Sequence, residues 1–459
     1  MDVHPIEKEI GIEAYSTQIP GIGGKLRTIL EDFIVEEISS SGNVIECLTL
    51  NQSPPKHDLN LKNLPPACSN YNLILEKYNI ETFIAIQQLA SFLKIPYTNI
   101  GFAGLKDKRA ITVQQISISG IRTAQFLPLQ NEEMPLKGIY LNRIKPGKHL
   151  KLGNLTGNHF IIVTRKFNIP FDQVQQKIET IQQQILSSYV PNYYGPQRFG
   201  ALRPISHRVG QALLYDDYEK ALKIYLTTAF PQENGQIQEL RTYLRESWPQ
   251  ADAIFPRAYF YENKIIQYLK QFENFKIIFN KTFPFRYELL FTHAYQSYLF
   301  NKLLSARIKA HLPMNQVIEG DYIALLDEQF LPTHAIYEVT PHNIKSLNNA
   351  LQKGKAVVMA PLFGFDLNYS RHPLANEIEQ ILHNEELDLK QFKSSLNRKL
   401  QLKVNYRPIT FKPKALNIKF FDSVDAPSNS MVHFNFSLNK GSYATLLLRE
   451  FMKTNPINY

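Results

Sequence analysis

Cysteine is nearly missing: Cys47 and Cys68 are the only two in 459 residues, and neither sits at metal-ligand spacing. That excludes a disulfide-stapled scaffold and fits a reducing compartment, so a cytoplasmic protein is expected. Long apolar runs are missing too. No stretch approaches the roughly 20 residues that a membrane helix needs, and Met1–Gly11 mixes acids with bases around no apolar core, so neither a membrane anchor nor an export signal is expected. Nor do His, Cys or carboxylates cluster as metal ligands; a metal-dependent nuclease would lack the carboxylates that two-metal chemistry requires. No metal is expected.

What is present is a basic, aromatic-rich chain. The formal charge is +10, with 29 Phe and 24 Tyr against a single Trp. A positive excess suits a polyanion, and aromatic faces stack on unpaired bases, although most rings in any chain belong to its core. The apolar fraction of 44% and charged fraction of 20% suit a globular protein, and this length suits two domains.

Periodicity places the elements. Strands are predicted at Phe33–Val35, at Tyr71–Leu75, around Val113, Gln115 and Ser117, at Phe160–Val163 and at Val432–Leu438. Helices are predicted over Thr82–Leu93, with Phe83, Ile86, Leu89, Ala90 and Leu93 on the buried face, and after Pro170, with Val174, Ile178, Ile181 and Ile185 buried. Further helices are expected over Gln296–Ile308 and Tyr443–Met452. Asn51–Pro66, rich in Pro, Asn and Lys, reads as a surface excursion. Strands and helices at both ends of a helix-rich middle predict a discontinuous domain, 1–212 with 406–459, interrupted by an insertion over 213–405.

Three constellations can carry chemistry. Gly101–Ala110 sets Asp107 among Lys106, Lys108 and Arg109. Neighbouring positive charge favours an ionised carboxylate, able to serve as nucleophile or base; taken alone, the pattern also describes an ordinary charged turn. Asn192–Gly200 offers amides, an Arg and three aromatic rings, enough to read and stack a base or to pack a turn. In Lys440–Glu450, Ser442 is placed to cap a helix whose first N–H groups could meet an anion, with Tyr443 at the open end and Leu446–Leu448 as core.

Taken in order, these segments resemble the TruD family of tRNA pseudouridine synthases. The resemblance runs through Gly21–Gly24, Glu31–Ile38, Gly104–Asp107 with Ala110, Thr112 and Gln114, Gly157–Phe160, Asn192–Gly200, Gln296–Asn301 and Gly441–Thr445 with Arg449 and Glu450. It implies an α+β fold: a mixed, largely antiparallel sheet flanked by helices, with a family-specific α/β domain inserted. It also implies isomerisation of a tRNA uridine, position 13 by default, with Asp107 as nucleophile and Phe33, Asn192, Tyr194 and Tyr443 around the base. No cofactor is needed, because the isomerisation has no redox step or energy input. The partner would be tRNA, with other RNAs as further substrates, and a monomer is expected. Lys106 and Arg449 are the candidate basic partners of Asp107. Tyr194 stands where Phe is common, Leu30 and Asn439 where Pro is common, and His159 where Arg is common. The rival reading is a non-catalytic RNA-binding or RNA-folding protein on the same fold; the intact Asp107 motif favours the enzyme, because function resides in the site rather than the fold.

Overall fold

The structure, a computed structural model, describes residues 2–52, 55–130, 136–200, 203–250, 252–393, 401–423 and 430–459. Its strands, in chain order, are β1 (Gly23–Lys25), β2 (Phe33–Ser39), β3 (Asn70–Tyr78), β4 (Ile100–Phe102), β5 (Ile111–Ser119), β6 (Ile139–Pro146), β7 (Leu155–Phe167), β8 (Val190–Pro191), β9 (Tyr322–Leu326), β10 (Pro332–Glu338), β11 (Ala356–Leu362), β12 (Asn405–Pro408), β13 (Thr410–Phe411), β14 (Lys414–Phe421) and β15 (Met431–Asn439). Nine of them form one sheet in the order β14-β15-β7-β2-β5-β3-β6, with β1 on β7 and β4 on β5. Only β2 and β5 run parallel; every other pair in this sheet is antiparallel.

Strand alternation and register together explain where the site lies. Val35 is level with Thr112 on β5 and Phe160 on β7, and Lys77 of β3 is also level with Thr112. Paired residues point to the same face. That face is therefore apolar on β7 and β15, polar at Glu37, Thr112, Gln114 and Lys77 in the middle, and apolar again further along β3 and β6. The helices Phe171–Ser188 and Ala444–Met452 cover the first apolar flank, and Thr82–Leu93 covers the second. The polar band between them is left for a loop.

Most predicted elements stand where periodicity puts them, Thr82–Leu93 to the residue. Phe83 differs: it is exposed and meets Tyr97 edge-on instead of the core. Asn51–Pro66 is irregular as expected (53 and 54 lie outside the described residues), yet Leu59 and Leu61 anchor it in the core under β3.

The insertion holds the helices Tyr218–Thr227, Gly235–Glu246, Phe260–Leu269 and Phe275–Thr282, then the long helix Phe285–Lys309 and a second sheet in the order β10-β9-β11-β12. The long helix starts eleven residues before the predicted Gln296. It links two cores, because Phe291 packs with the preceding helices while Leu299, Phe300 and Leu303 pack with the nine-stranded sheet. Helix Ser206–Leu214 lies close on it, since a Cβ on Gly210 would sit 2.0 Å from the Phe291 carbonyl. Position 212 lies in helix Ser206–Leu214, which packs on the long helix, and position 406 lies in β12 of the second sheet.

The two chain ends close over one another through Arg449. Its guanidinium donates to both Glu7 carboxylate oxygens (2.7 and 3.0 Å) and to Glu450 (3.0 Å), all buried, and lies on the Tyr15 ring. Removing one partner from a buried ionic cluster strands the others without solvent. Arg449→Met is therefore expected to destabilise the fold by about 3–5 kcal/mol in urea titrations. A change within experimental scatter would show that the cluster holds nothing.

Candidate active site

The loop Ala103–Arg109 crosses the polar band of the sheet, and almost every anchor comes from the strands beneath or from the second-flank helix. Gln114 donates to the Gly104 carbonyl (3.1 Å), and the Thr82 hydroxyl accepts from Lys106 N–H (3.0 Å). Lys106 forms a buried ion pair with Glu37 at 2.8 Å. Lys77, fully buried, donates to the carbonyls of Ile80 (2.8 Å), Lys106 (3.4 Å) and Asp107. With its neighbours tied down, the Asp107 side chain stands out exposed.

The structure corrects the assignment of cations. Both proposed basic partners of Asp107 are engaged elsewhere: Lys106 points down to Glu37, and Arg449 is enclosed with Glu7 and Glu450. The charge of Asp107 acts on Lys77 and Arg27. Burial pushes the Lys77 ammonium down to about 8, against the opposing attraction of Asp107. Burial likewise lowers the Arg27 guanidinium, again opposed by Asp107. Arg27 reaches this position from a left-handed backbone (φ +54°), donating to the Arg109 carbonyl (3.1 Å) with its Cζ 3.8 Å above the centroid of the Phe33 ring. Phe33 is only 1% exposed. Its ring thus supports Arg27 rather than offering an open stacking face.

The other group lies at the start of helix Ala444–Met452. Tyr443 is its N-cap position; no side chain caps the helix, so the expected Ser442 cap is not made and the first turn is left open. Asn192 is buried, with both ends of its amide engaged: Nδ2 donates to the Pro408 carbonyl (3.0 Å), and Oδ1 accepts from Arg407 (2.8 Å). Its part here is to hold the loop. Arg407 also donates to the carbonyls of Asn192 (3.1 Å) and Gly441 (2.9 Å) and lies 4.1 Å from the Tyr194 ring centroid. Tyr194 also meets Phe300 edge-on and is pinned by Asn301, which accepts from its N–H (2.8 Å) and donates to its carbonyl (3.0 Å). Burial raises the Tyr443 hydroxyl, while Arg407 and Arg198 pull it the other way, so these groups share one neighbourhood. Phe33, Tyr194 and Tyr443 all border the same apolar cluster.

Sequence reasoning missed Lys77, Arg27 and Arg407. Lys77 had a readable signal, a lysine on the inward alternation of an otherwise apolar strand. Arg27 and Arg407 lie in segments without periodicity and had none. His159, the departure on β7, hydrogen-bonds Ser437 (2.9 Å).

An exposed aspartate on a loop across a mixed sheet, with buried Lys77 beneath the loop and half-buried Arg27 beside it, is an arrangement capable of acid–base or nucleophilic chemistry. The family model of tRNA pseudouridine synthase D (TruD) matches residues 9–451. A relative from Methanococcoides burtonii, named "Probable tRNA pseudouridine synthase D", is 34% identical over 99% of both chains, and one of the same name from Methanosarcina acetivorans is 32% identical over 100% of this chain and 99% of its own. The crystal structure of the TruD-type protein from Methanosarcina mazei superposes over 100% of both chains with a TM-score of 0.81 at 30% identity. The chain belongs to the tRNA pseudouridine synthase D family, whose members are isomerases, and it has that family's fold.

Lys77 provides a pH test. Below about pH 8 it is charged beneath the loop; above that value it is neutral. Activity should decline on an alkaline limb near pH 8, and Lys77→Arg, which stays charged, should move that limb upward. The stability sign is the opposite. Between about 8 and the ordinary 10.5 the unfolded chain binds more protons, so the folded state gains stability as pH rises. Superimposable pH–rate profiles for the two proteins would remove Lys77 from the account.

Proposed function

We propose that this chain converts a uridine of tRNA, by default the one at position 13, to pseudouridine, with Asp107 as the nucleophile. The observation that carries this reading is the exposed Asp107 carboxylate on a loop anchored by Lys77, Thr82, Gln114 and the Lys106–Glu37 pair, with Arg27 beside it. Neighbouring cations favour the ionised, nucleophilic form of a carboxylate.

The target nucleotide leaves the RNA stack, because the glycosidic bond and the base must both be reached. Tyr443 and Tyr194 supply aromatic surface for the base, while Asn192 and Arg407 hold the loop carrying Tyr194 against Gly441. Asp107 attacks the nucleotide and the N1–C1′ bond breaks. Uracil turns, C5 bonds to C1′, the bond to Asp107 breaks to release its carboxylate, the C5 proton leaves and N1 ends protonated. No electron is gained or lost overall. The part over 213–405 grips the RNA beyond the reacting nucleotide, and the protein works in the cytoplasm, in keeping with its two unpaired cysteines. Among the described residues no helix is long and apolar enough to cross a membrane.

Asp107→Asn should bind a tRNA transcript as the parent does and form no pseudouridine, read by mapping the modified base after incubation. Full turnover by this variant would end the assignment of the nucleophile. Tyr443→Ala should reduce kcat/KM about tenfold or more, the size of a single base–aromatic stack; unchanged steady-state kinetics would show that the ring does not meet the base.

A further inference from the structure

A cavity of about 840 Å³ lies apart from Asp107, which is not among its lining residues. It lies between the second sheet and the return of the chain to the first, bounded by the β9–β10 hairpin on one side and by β13, the start of β14 and the turn after β15 on the other. None of the residues that line it is Asp or Glu, although the chain carries 41 acids. Lys353, Lys412, Lys414, Lys440 and Arg407 all line it. At its other end it reaches Asn192, Gly441 and Ser442, so it runs on from the loops beside Tyr443.

Phe330, at the tip of the hairpin, gives this groove its character. The ring is 56% exposed, unusual for a large apolar side chain in a built wall. Its backbone has φ +60°, and its carbonyl is held by Asn439 Nδ2 at 2.8 Å. Lys414 Nζ lies 5.0 Å from the Phe330 ring centroid, and Lys412 Nζ lies 5.4 Å from that of Tyr189 across the groove. An exposed ring held in place, with cations beside it and no acid in the lining, has the composition of a platform for an unpaired base and its phosphate.

We propose that this groove is a second nucleotide subsite. It takes an unpaired nucleotide adjacent to the target uridine, the base stacked on Phe330 and the backbone phosphate near Lys412 and Lys414. The inference rests on the RNA-modifying function proposed above and adds where the flanking strand runs. A volume of 840 Å³ is in the range of pockets that enclose one drug-sized ligand, so the groove suits one or two nucleotides and excludes a duplex.

The test compares a tRNA transcript on the parent protein, Phe330→Ala, Phe330→Tyr and the double variant Lys412→Met/Lys414→Met. Phe330→Ala should raise KM about tenfold with kcat little changed, and Phe330→Tyr should restore it. The lysine double variant should lower the salt dependence of binding, by about 0.7 in log–log slope for each phosphate that is no longer neutralised. A 4-thiouridine next to the target should photo-crosslink to the peptide containing Phe330. Unchanged KM in Phe330→Ala, an unchanged salt slope, or crosslinks confined to other elements would overturn the subsite. Failure of the wider reading looks different: there the parent forms no pseudouridine, whatever Phe330 does to RNA binding.

Discussion

The site depends on one buried ion pair in the middle of a sheet. Glu37 and Lys106 meet at 2.8 Å with both side chains almost wholly excluded from water. Two charges at that depth are tolerable only as a pair, since either alone would bear a desolvation penalty of several kcal/mol. The pair therefore ties the loop to β2 at the residue just before Asp107. Lys77 acts from β3 in the same sense, giving its protons to loop carbonyls rather than to a carboxylate. An aspartate can stay exposed and still be fixed in place because its backbone, not its side chain, is what the sheet holds.

A similar division of labour joins the second sheet and the long helix to the site. Arg407 sits on β12 of the second sheet, yet its donors go to Asn192 and Gly441. Asn301, on the long helix, holds Tyr194 at both N–H and carbonyl, and donates to the Ile10 carbonyl as well. Two of the loops of the candidate site are thus held by side chains from the second sheet and the long helix, and a displaced second sheet would carry Arg407 away from both.

How much of this was legible in the chain follows from what kind of signal each feature leaves. Amphipathic elements are repetitive, so Thr82–Leu93, the helix after Pro170 and β15 could be read from their spacing. Phe83 shows the limit: it fits the helical period but lies at the margin of the stripe, where a neighbouring ring replaces the core. The loop residues were legible as a set, because Asp107, Asn192, Tyr194 and Tyr443 lie in compact motifs. Their partners were not. Charge adjacency along the chain suggested Lys106, yet its neighbour Asp107 points out while Lys106 points in, as the opposite burial of the two residues records. Arg27 and Lys77 come close only through strand pairing, which no local pattern announces. Asn192 shows the same effect in reverse: a residue type suited to reading a base has both ends of its amide engaged by Pro408 and Arg407.

The chain's excess of positive charge takes on meaning once its cations are sorted by partner. Lys106 and Arg449 are buried against carboxylates and so contribute little field outside their own clusters. Lys77 and Arg407 give their hydrogen bonds to carbonyls and an amide, and Arg27 gives its own to the Arg109 carbonyl while resting on Phe33; none of these contacts neutralises the charge. A carbonyl fixes a cation's position and leaves its field intact. Cations held in this way therefore surround the loop of Asp107 and the mouth of the acid-free groove, where a low-dielectric wall strengthens their reach. Net charge by itself would have indicated only affinity for a polyanion. It is the arrangement, with paired cations buried in the framework and unneutralised ones beside Asp107 and the groove, that gives the proposed path of a phosphate backbone its physical basis.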